Sequence, residues 1–118
     1  SSISQAAAIS ALNGSLDCVV SMVEEYKNRY HYLFNTLEKI NGFKLQESSG
    51  AFYAFPNISG TGWKSKKLAS ALLEEAGVAT IGGPDFGILG EGYIRLSYAN
   101  SEDNIEQAIK RIGEFLGT

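Results

Sequence analysis

The first forty residues of the chain carry apolar side chains at helical spacing. An alanine-rich stretch from Ser4 to Leu12 predicts a short helix, which Asn13 and Gly14 end. A longer stripe then predicts one continuous helix from Leu16 to Ile40, with Ser15 as its cap. Its apolar residues recur at steps of three and four: Leu16, Val19, Val23, Tyr26, Tyr30, Leu33, Leu37 and Ile40.

The length of this second helix indicates a contact outside its own domain. Residues 16–40 would extend about 37 Å at ~1.5 Å per residue, which is more than one small domain normally requires. We therefore expect the first half of the helix to pack against little within this chain. The alternative is a coiled-coil seam, but Val20 and Phe34 make the stripe wider than such a seam.

The next segment alternates apolar and polar residues with a period of two. Phe43 and Leu45 predict one strand, and residues 51–55 predict another. Because the turn residues Ser48-Ser49-Gly50 lie between them, a hairpin is the simplest interpretation. Pro56 ends the second strand or keeps it at a sheet edge, since proline donates no ladder hydrogen bond.

The C-terminal half adds two helices and two strands. An amphipathic helix through Leu68–Ala76 closes at Gly77 and is followed by a predicted strand at Val78–Ile81. A second strand is predicted at Tyr93–Tyr98, and Ser101 is expected to cap the last helix. The buried face of that helix is predicted to contain Ile105, Ala108, Ile109, Ile112, Phe115 and Leu116.

The order of these elements predicts the fold class. Residues 29–118 run helix, two strands, helix, two strands, helix, which predicts an α+β domain with a small, mostly antiparallel sheet covered by helices. Residues 1–28 are expected to be an appendage that reaches toward another surface. At 118 residues the chain has the size of one domain. Because it does not begin with methionine, we expect a fragment of a longer protein.

Composition narrows the classes of partner. The chain has 10 Lys and Arg against 13 Asp and Glu, a net charge of −3, so no general attraction to nucleic acid is expected. No apolar stretch approaches the ~18 residues of a membrane span. Cys18 is the single cysteine and makes no internal disulfide, which favours a reducing compartment and hence the cytoplasm.

Arg95 is the strongest candidate for binding chemistry. The strand alternation places Tyr93, Arg95 and Ser97 on one face and the apolar Ile94 and Leu96 on the other. An arginine held on a rigid strand offers two parallel N–H donors, the geometry that a carboxylate accepts. The alternative is a surface arginine, or one paired with a structural acid.

Other candidate sites are weaker. The glycine-rich segment 82–92 precedes a strand and lacks the lysine of a phosphate-binding loop, so a connector is the simpler interpretation. His31 has no second histidine or cysteine nearby in the pattern, and no metal site is expected. The acid pairs Glu24-Glu25 and Glu74-Glu75 suit a solvated helix face.

Three segments together resemble a known family. They are Gly50-Ala51-Phe52-Tyr53-Ala54-Phe55-Pro56, Gly92-Tyr93-Ile94-Arg95-Leu96-Ser97-Tyr98-Ala99 and Ser101-Glu102-Asp103-Asn104-Ile105. In this order and spacing they are similar to the C-terminal third of class I pyridoxal-phosphate-dependent aminotransferases, especially bacterial and archaeal aspartate aminotransferases. The resemblance extends over the whole chain, and the second segment is its specific part.

The resemblance implies roles for two residues. In the family, the arginine of the second segment binds the substrate carboxylate, which assigns that role to Arg95. The phenylalanine of the first segment lines the substrate pocket in relatives, which makes Phe52 a second substrate-binding candidate. The resemblance also implies that residues 1–28 are the end of a large domain with an interdomain helix, and that residues 29–118 are the small domain. Amino acid and 2-oxo acid substrates and a homodimer are implied as well.

One departure from the family concerns the cofactor. Relatives hold pyridoxal 5'-phosphate covalently on a lysine that lies upstream of the matching segment, and no lysine here stands in that motif. We therefore expect no catalytic and no cofactor-binding residue in this chain, and no activity from the chain alone. Two alternatives stay open. The scaffold could serve another transaminase or a lyase, or the chain could be a non-catalytic α+β interaction module.

Overall fold

The computed structural model describes all 118 residues. The α-helices are α1 (Ser2–Asn13), α2 (Asp17–Leu37), α3 (Ser65–Glu75) and α4 (Glu102–Leu116). The β-strands are β1 (Tyr53–Ala54), β2 (Ile81–Gly82) and β3 (Ile94–Ser97). Short 3-10 helices span Ser59–Thr61, Gly83–Phe86 and Ile88–Gly90.

The three strands form one antiparallel sheet in the order β1-β3-β2. In the register, Tyr53 lies opposite Ser97 and Ile81 lies opposite Arg95. Directly opposed residues point to the same side of a sheet. The central strand β3 therefore shares one face with side chains from both of its neighbours. The predicted α+β class with a small antiparallel sheet is confirmed.

The helices bury the other face of the sheet. Ile94 and Leu96 of β3 lie in a core with Leu37 of α2, Leu72 of α3 and Ile112 of α4. Four of these side chains, Leu37, Leu72, Ile94 and Ile112, have no exposed surface. This burial supplies the main driving force for holding α2, α3 and α4 against the sheet.

The predicted helices are all present, with small changes at their ends. The second helix begins at Asp17 with Leu16 at its N-cap, so the predicted Ser15 cap is wrong, although the Asp17 amide donates to Ser15 Oγ at 3.0 Å. The helix ends at Leu37 instead of Ile40. Beyond Leu37 the amides of Lys39 and Ile40 bond carbonyls only three residues back, which turns the chain so that Ile40 enters the core. The predicted cap of α4 is confirmed, because Ser101 Oγ accepts from the Asn104 amide.

The strand predicted at Phe43 and Leu45 and the hairpin predicted between it and residues 51–55 were wrong. Phe43 and Leu45 are buried as their alternation predicts, but Lys44 makes only a single bridge, with Asn57. No hairpin forms with residues 51–55, because Ala51 has a left-handed φ of 65° and β1 starts only at Tyr53. The partner of β1 is β3 instead.

The strand predicted at residues 78–81 is likewise reduced to its last residue. The Val78 amide donates to the carbonyl of Leu72 at 2.8 Å, so Val78 belongs to the end of α3. Gly77, with a φ of +65°, makes that reversal possible. Sheet pairing then begins at Ile81.

The N-terminal helices extend away from the core. No residue of α1 is buried, and the large apolar residues of α1, of its connection to α2 and of the first part of α2 are exposed: Ile3, Ile9, Leu12, Leu16, Val19, Val20, Met22 and Val23. The expectation that the first half of the long helix packs against little is confirmed. No single helix has the length and apolar character to cross a membrane. Taken together, α1 and α2 have that length and composition, but the pair is bent by 79°.

Candidate functional site

The site is built on the face of the sheet that the helices leave uncovered. We call this the open face, formed by Tyr53, Ile81, Tyr93, Arg95 and Ser97. The strand alternation buries Ile94 and Leu96 on the helical side and leaves Arg95 half-buried on the open face. A cationic side chain thus stands at the centre of a small, mostly aromatic surface.

Two aromatic rings contact the guanidinium of Arg95. Its Cζ lies 4.3 Å from the ring centre of Tyr53 and 4.2 Å from that of Phe86. Tyr53 belongs to β1, and Phe86 ends the 3-10 helix that directly follows β2. Since β1 and β2 flank β3 on opposite sides, the two rings come from segments on either side of the strand that carries Arg95.

The neighbouring carboxylates make contacts other than to Arg95. Asp85 pairs with Lys66, with 2.6 Å between Oδ1 and Nζ. Glu91 Oε1 accepts a hydrogen bond of 3.1 Å from the backbone amide of Ser65. No carboxylate lies within 4.0 Å of the Arg95 guanidinium nitrogens. The positive charge of Arg95 therefore has no acidic partner on the open face.

A buried serine holds the start of the strand that carries Arg95. Ser65 has no exposed surface, and its Oγ accepts hydrogen bonds from the amides of Gly92 at 2.8 Å and Tyr93 at 3.1 Å. These bonds join the first turn of α3 to the residues that lead into β3. Sequence reasoning missed Ser65, because a serine at the start of a helix signals a local cap and not a long-range contact.

Phe52 lies in a different part of the structure. A groove of about 340 Å³ is lined by apolar and aromatic side chains that include Val23, Tyr26, Tyr30, Phe52 and Tyr98. The ring of Phe52 is 6.2 Å from that of Tyr26 in α2, so it faces that helix. The two predicted substrate-binding residues are therefore not in contact, and Tyr53 lies between them. Its ring is 4.4 Å from that of Phe52 and also contacts Arg95.

Burial affects the ionisation of one residue in this groove. Tyr98 is almost fully buried, and its hydroxyl donates to the carbonyl of Ala51 at 2.8 Å. Burial raises the pKa of Tyr98 above its usual value, and the nearby Tyr30 and Tyr26 raise it further. The Tyr98 hydroxyl is therefore a fixed hydrogen-bond donor at neutral pH.

None of the lysines forms a cofactor pocket. All seven are exposed: Lys27, Lys39, Lys44, Lys64, Lys66, Lys67 and Lys110. Lys27 lines the groove that contains Phe52, but it pairs with Glu24 at 3.2 Å. A lysine that captures an aldehyde needs a neutral amine, which burial or a neighbouring cation provides. The residues of this chain do not by themselves form a site that fits pyridoxal phosphate.

Comparison with known proteins decides the family. The family model "Aminotransferase class I and II" matches residues 1–112. The chain belongs to this family. It is 45% identical over 114 residues to an aspartate aminotransferase of Pyrococcus horikoshii, which covers 95% of this chain and 29% of that protein. The chain thus spans less than a third of the length of this aminotransferase.

Solved aminotransferase structures share the fold. The aspartate aminotransferase from Rhizobium meliloti matches 99% of this chain and 31% of its own, with a TM-score of 0.91 and 34% identity. A putative aminotransferase from Clostridium difficile 630, solved with pyridoxal phosphate bound, matches 91% of this chain and 28% of its own. Its TM-score is 0.81 at 26% identity. The cofactor is thus present in a relative with the same fold.

Proposed function

We propose that the protein containing this chain is a pyridoxal-phosphate-dependent aminotransferase that transfers an amino group between an amino acid, with aspartate as the favoured donor, and a 2-oxo acid. In this enzyme Arg95 binds the α-carboxylate of the substrate. The bound cofactor supplies the electron sink that the reaction requires. This chain supplies one wall of the substrate site, and the remainder of the protein supplies the lysine.

The observation that carries this proposal is the environment of Arg95. Its guanidinium stands on the open face in contact with two aromatic rings, while Asp85 and Glu91 make other contacts. A planar guanidinium in this setting has in-plane N–H donors available to both oxygens of a carboxylate. Arg95 is also the arginine of the segment Gly92-Tyr93-Ile94-Arg95-Leu96-Ser97, which resembles the family.

The proposal extends to the organisation of the whole protein. Residues 29–118 form the small domain, and residues 1–28 connect it to a large domain. We also propose a cytoplasmic homodimer and a pocket-lining role for Phe52, which is partly exposed. The exposed apolar residues of α1 and early α2 support a contact with a large domain or a second subunit, because monomeric proteins rarely leave large apolar patches uncovered.

The substitution Arg95→Lys tests the role of Arg95 in the complete enzyme. Lysine keeps the positive charge but loses the two parallel donors, so binding of both the amino acid and the 2-oxo acid should weaken together. We expect KM for L-aspartate and for 2-oxoglutarate to rise at least about tenfold, since hydrogen bonds to charged groups contribute ~1.5–3 kcal/mol. Steady-state kinetics at varied concentrations of each substrate measures the effect.

Arg111→Lys is the matched control, because Arg111 lies on α4 and is exposed. It should leave both constants unchanged. Equal KM values for the wild-type enzyme and Arg95→Lys would refute the assignment of Arg95. Absence of transamination in the wild-type enzyme would refute the proposed activity itself.

A further inference from the structure

The rings beside Arg95 are themselves held in place. The ring of Phe55 packs edge-on against Phe86, with centroids 6.1 Å apart. It also stacks on Tyr93 at 5.2 Å with only 8° between the ring planes. On the other side, Tyr53 is braced by Phe52. The two rings that contact the arginine thus belong to two aromatic groups, one of Phe55, Phe86 and Tyr93 and the other of Phe52 and Tyr53.

The loop that carries Phe86 makes two further contacts. It ends the 3-10 helix Gly83–Phe86, and the preceding residue Asp85 is tied to Lys66 of α3. In the loop between β2 and β3, the backbones of Gly83 and Gly90 lie too close together for a side chain on either residue. The loop between β2 and β3 therefore presents Phe86 to Arg95 in a defined place.

Ring contacts and carboxylate contacts use different parts of a guanidinium. The faces of the planar group stack on aromatic rings, whereas its N–H donors lie in the plane and point outward from the edge. A ring that lies against one of these faces fixes the orientation of the plane and leaves the edge available. A side chain that is already oriented loses less conformational entropy when its ligand binds.

We propose that Tyr53 and Phe86 form an aromatic clamp that positions Arg95 for the substrate α-carboxylate. Both are positioning residues, since they act through the arginine. The clamp orients the guanidinium edge before substrate arrives and shields its faces from water. This inference depends on the proposed function, because it assigns to two further residues a part in the same carboxylate site.

The test compares aliphatic and aromatic substitutions in the complete enzyme. Phe86→Leu and Tyr53→Leu remove a ring, whereas Phe86→Tyr and Tyr53→Phe keep one. We expect each leucine variant to raise KM for L-aspartate about three- to fivefold, the effect of one cation–π contact at a partly exposed site, with a smaller change in kcat. The aromatic variants should stay close to the wild-type enzyme.

A second substrate separates positioning from general damage. β-Alanine equals aspartate without its α-carboxylate, so its reaction should not depend on the clamp. We expect the leucine variants to leave kcat/KM for β-alanine unchanged. Trp63→Leu is the control for loss of an aromatic ring, because Trp63 is similarly exposed but packs on Phe115, 5.7 Å away. It should leave both substrates unaffected.

Each result bears on the clamp. An unchanged KM for aspartate in both leucine variants would overturn the inference, and so would an equal loss with β-alanine. Circular dichroism shows whether each leucine variant folds. If one of them does not, the leucine and aromatic variants at the other position decide the question. An inactive wild-type enzyme would overturn the proposed function and the clamp together. An active wild-type enzyme with insensitive leucine variants would overturn the clamp alone.

Discussion

Ser65 connects two parts of the chain that are distant in sequence. Its hydroxyl oxygen is buried at the start of α3 and accepts from the amides of Gly92 and Tyr93, which lead into β3. Leaving a buried amide without an acceptor costs more free energy than losing a hydrogen bond at the surface. Ser65 therefore stabilises the strand on which Arg95 stands, although it does not touch the open face.

The substitution Ser65→Ala should lower the free energy of unfolding by roughly 1–3 kcal/mol, because it leaves the buried Gly92 amide without an acceptor and the Tyr93 amide with only the carbonyl of Gly90. Ser70→Ala is the matched control, since Ser70 lies exposed on the same helix. It should change stability by less than about 0.5 kcal/mol. Urea unfolding followed by circular dichroism compares the two variants, and equal stabilities would contradict the role of Ser65.

The face on which Arg95 lies was predictable, but the partners of Arg95 were not. Alternation along residues 93–98 is a local property, and β3 follows it. The contact with Tyr53 depends on β1 pairing with β3, and the contact with Phe86 depends on a 3-10 loop that has no periodic signature. Long-range pairing and irregular backbone are set by packing that a single sequence pattern does not encode.

At the scale of elements, the glycine-rich connection between β2 and β3 has a definite structure. It contains two 3-10 helices and brings the backbones of Gly83 and Gly90 together. A methyl group on Gly90 would meet the carbonyl of Gly83, which is backbone and not a flexible side-chain end. Glycine is therefore required here for close approach, and the loop presents Phe86 as a result.

Gly90→Ala should destabilise the domain by roughly 1–3 kcal/mol, because an added methyl forces the backbone of the loop apart. Gly50→Ala is the control: Gly50 has nothing within 4 Å of an added Cβ and no positive φ. This control should be close to neutral in urea unfolding. If Gly90→Ala were as stable as Gly50→Ala, the close contact would have no energetic weight.

Helices and strands differed in how well the sequence predicted them. The helices α2, α3 and α4 repeat their apolar residues over several turns, and each appears where its stripe predicts. The strands have only two to four residues, too few for a period of two to define pairing. The hairpin prediction failed for this reason, since burial of Phe43 and Leu45 required no strand partner.

At the scale of the whole molecule, the chain has a packed end and an unpacked end. The core joins α3, α4, the sheet and the later part of α2, while α1 has no buried residue. The principal extents of 52 × 28 × 25 Å reflect this projecting arm. The arm carries exposed apolar residues, and a large exposed apolar surface marks a site of contact with another part of a protein or with a partner. Such a surface agrees with the proposal that residues 1–28 pack against the rest of the enzyme.

The same division predicts how the 118-residue chain behaves with the cofactor. Its seven lysines are all exposed, so none lies in a buried pocket that could hold the cofactor. We expect borohydride reduction after incubation with pyridoxal phosphate to give weak labelling spread over several lysines, and no turnover of aspartate with 2-oxoglutarate. Peptide mapping measures the labelling. The complete enzyme, treated in parallel, should instead be labelled at one lysine outside this chain. Stoichiometric labelling of one lysine in the 118-residue chain would show that its own residues form the cofactor site.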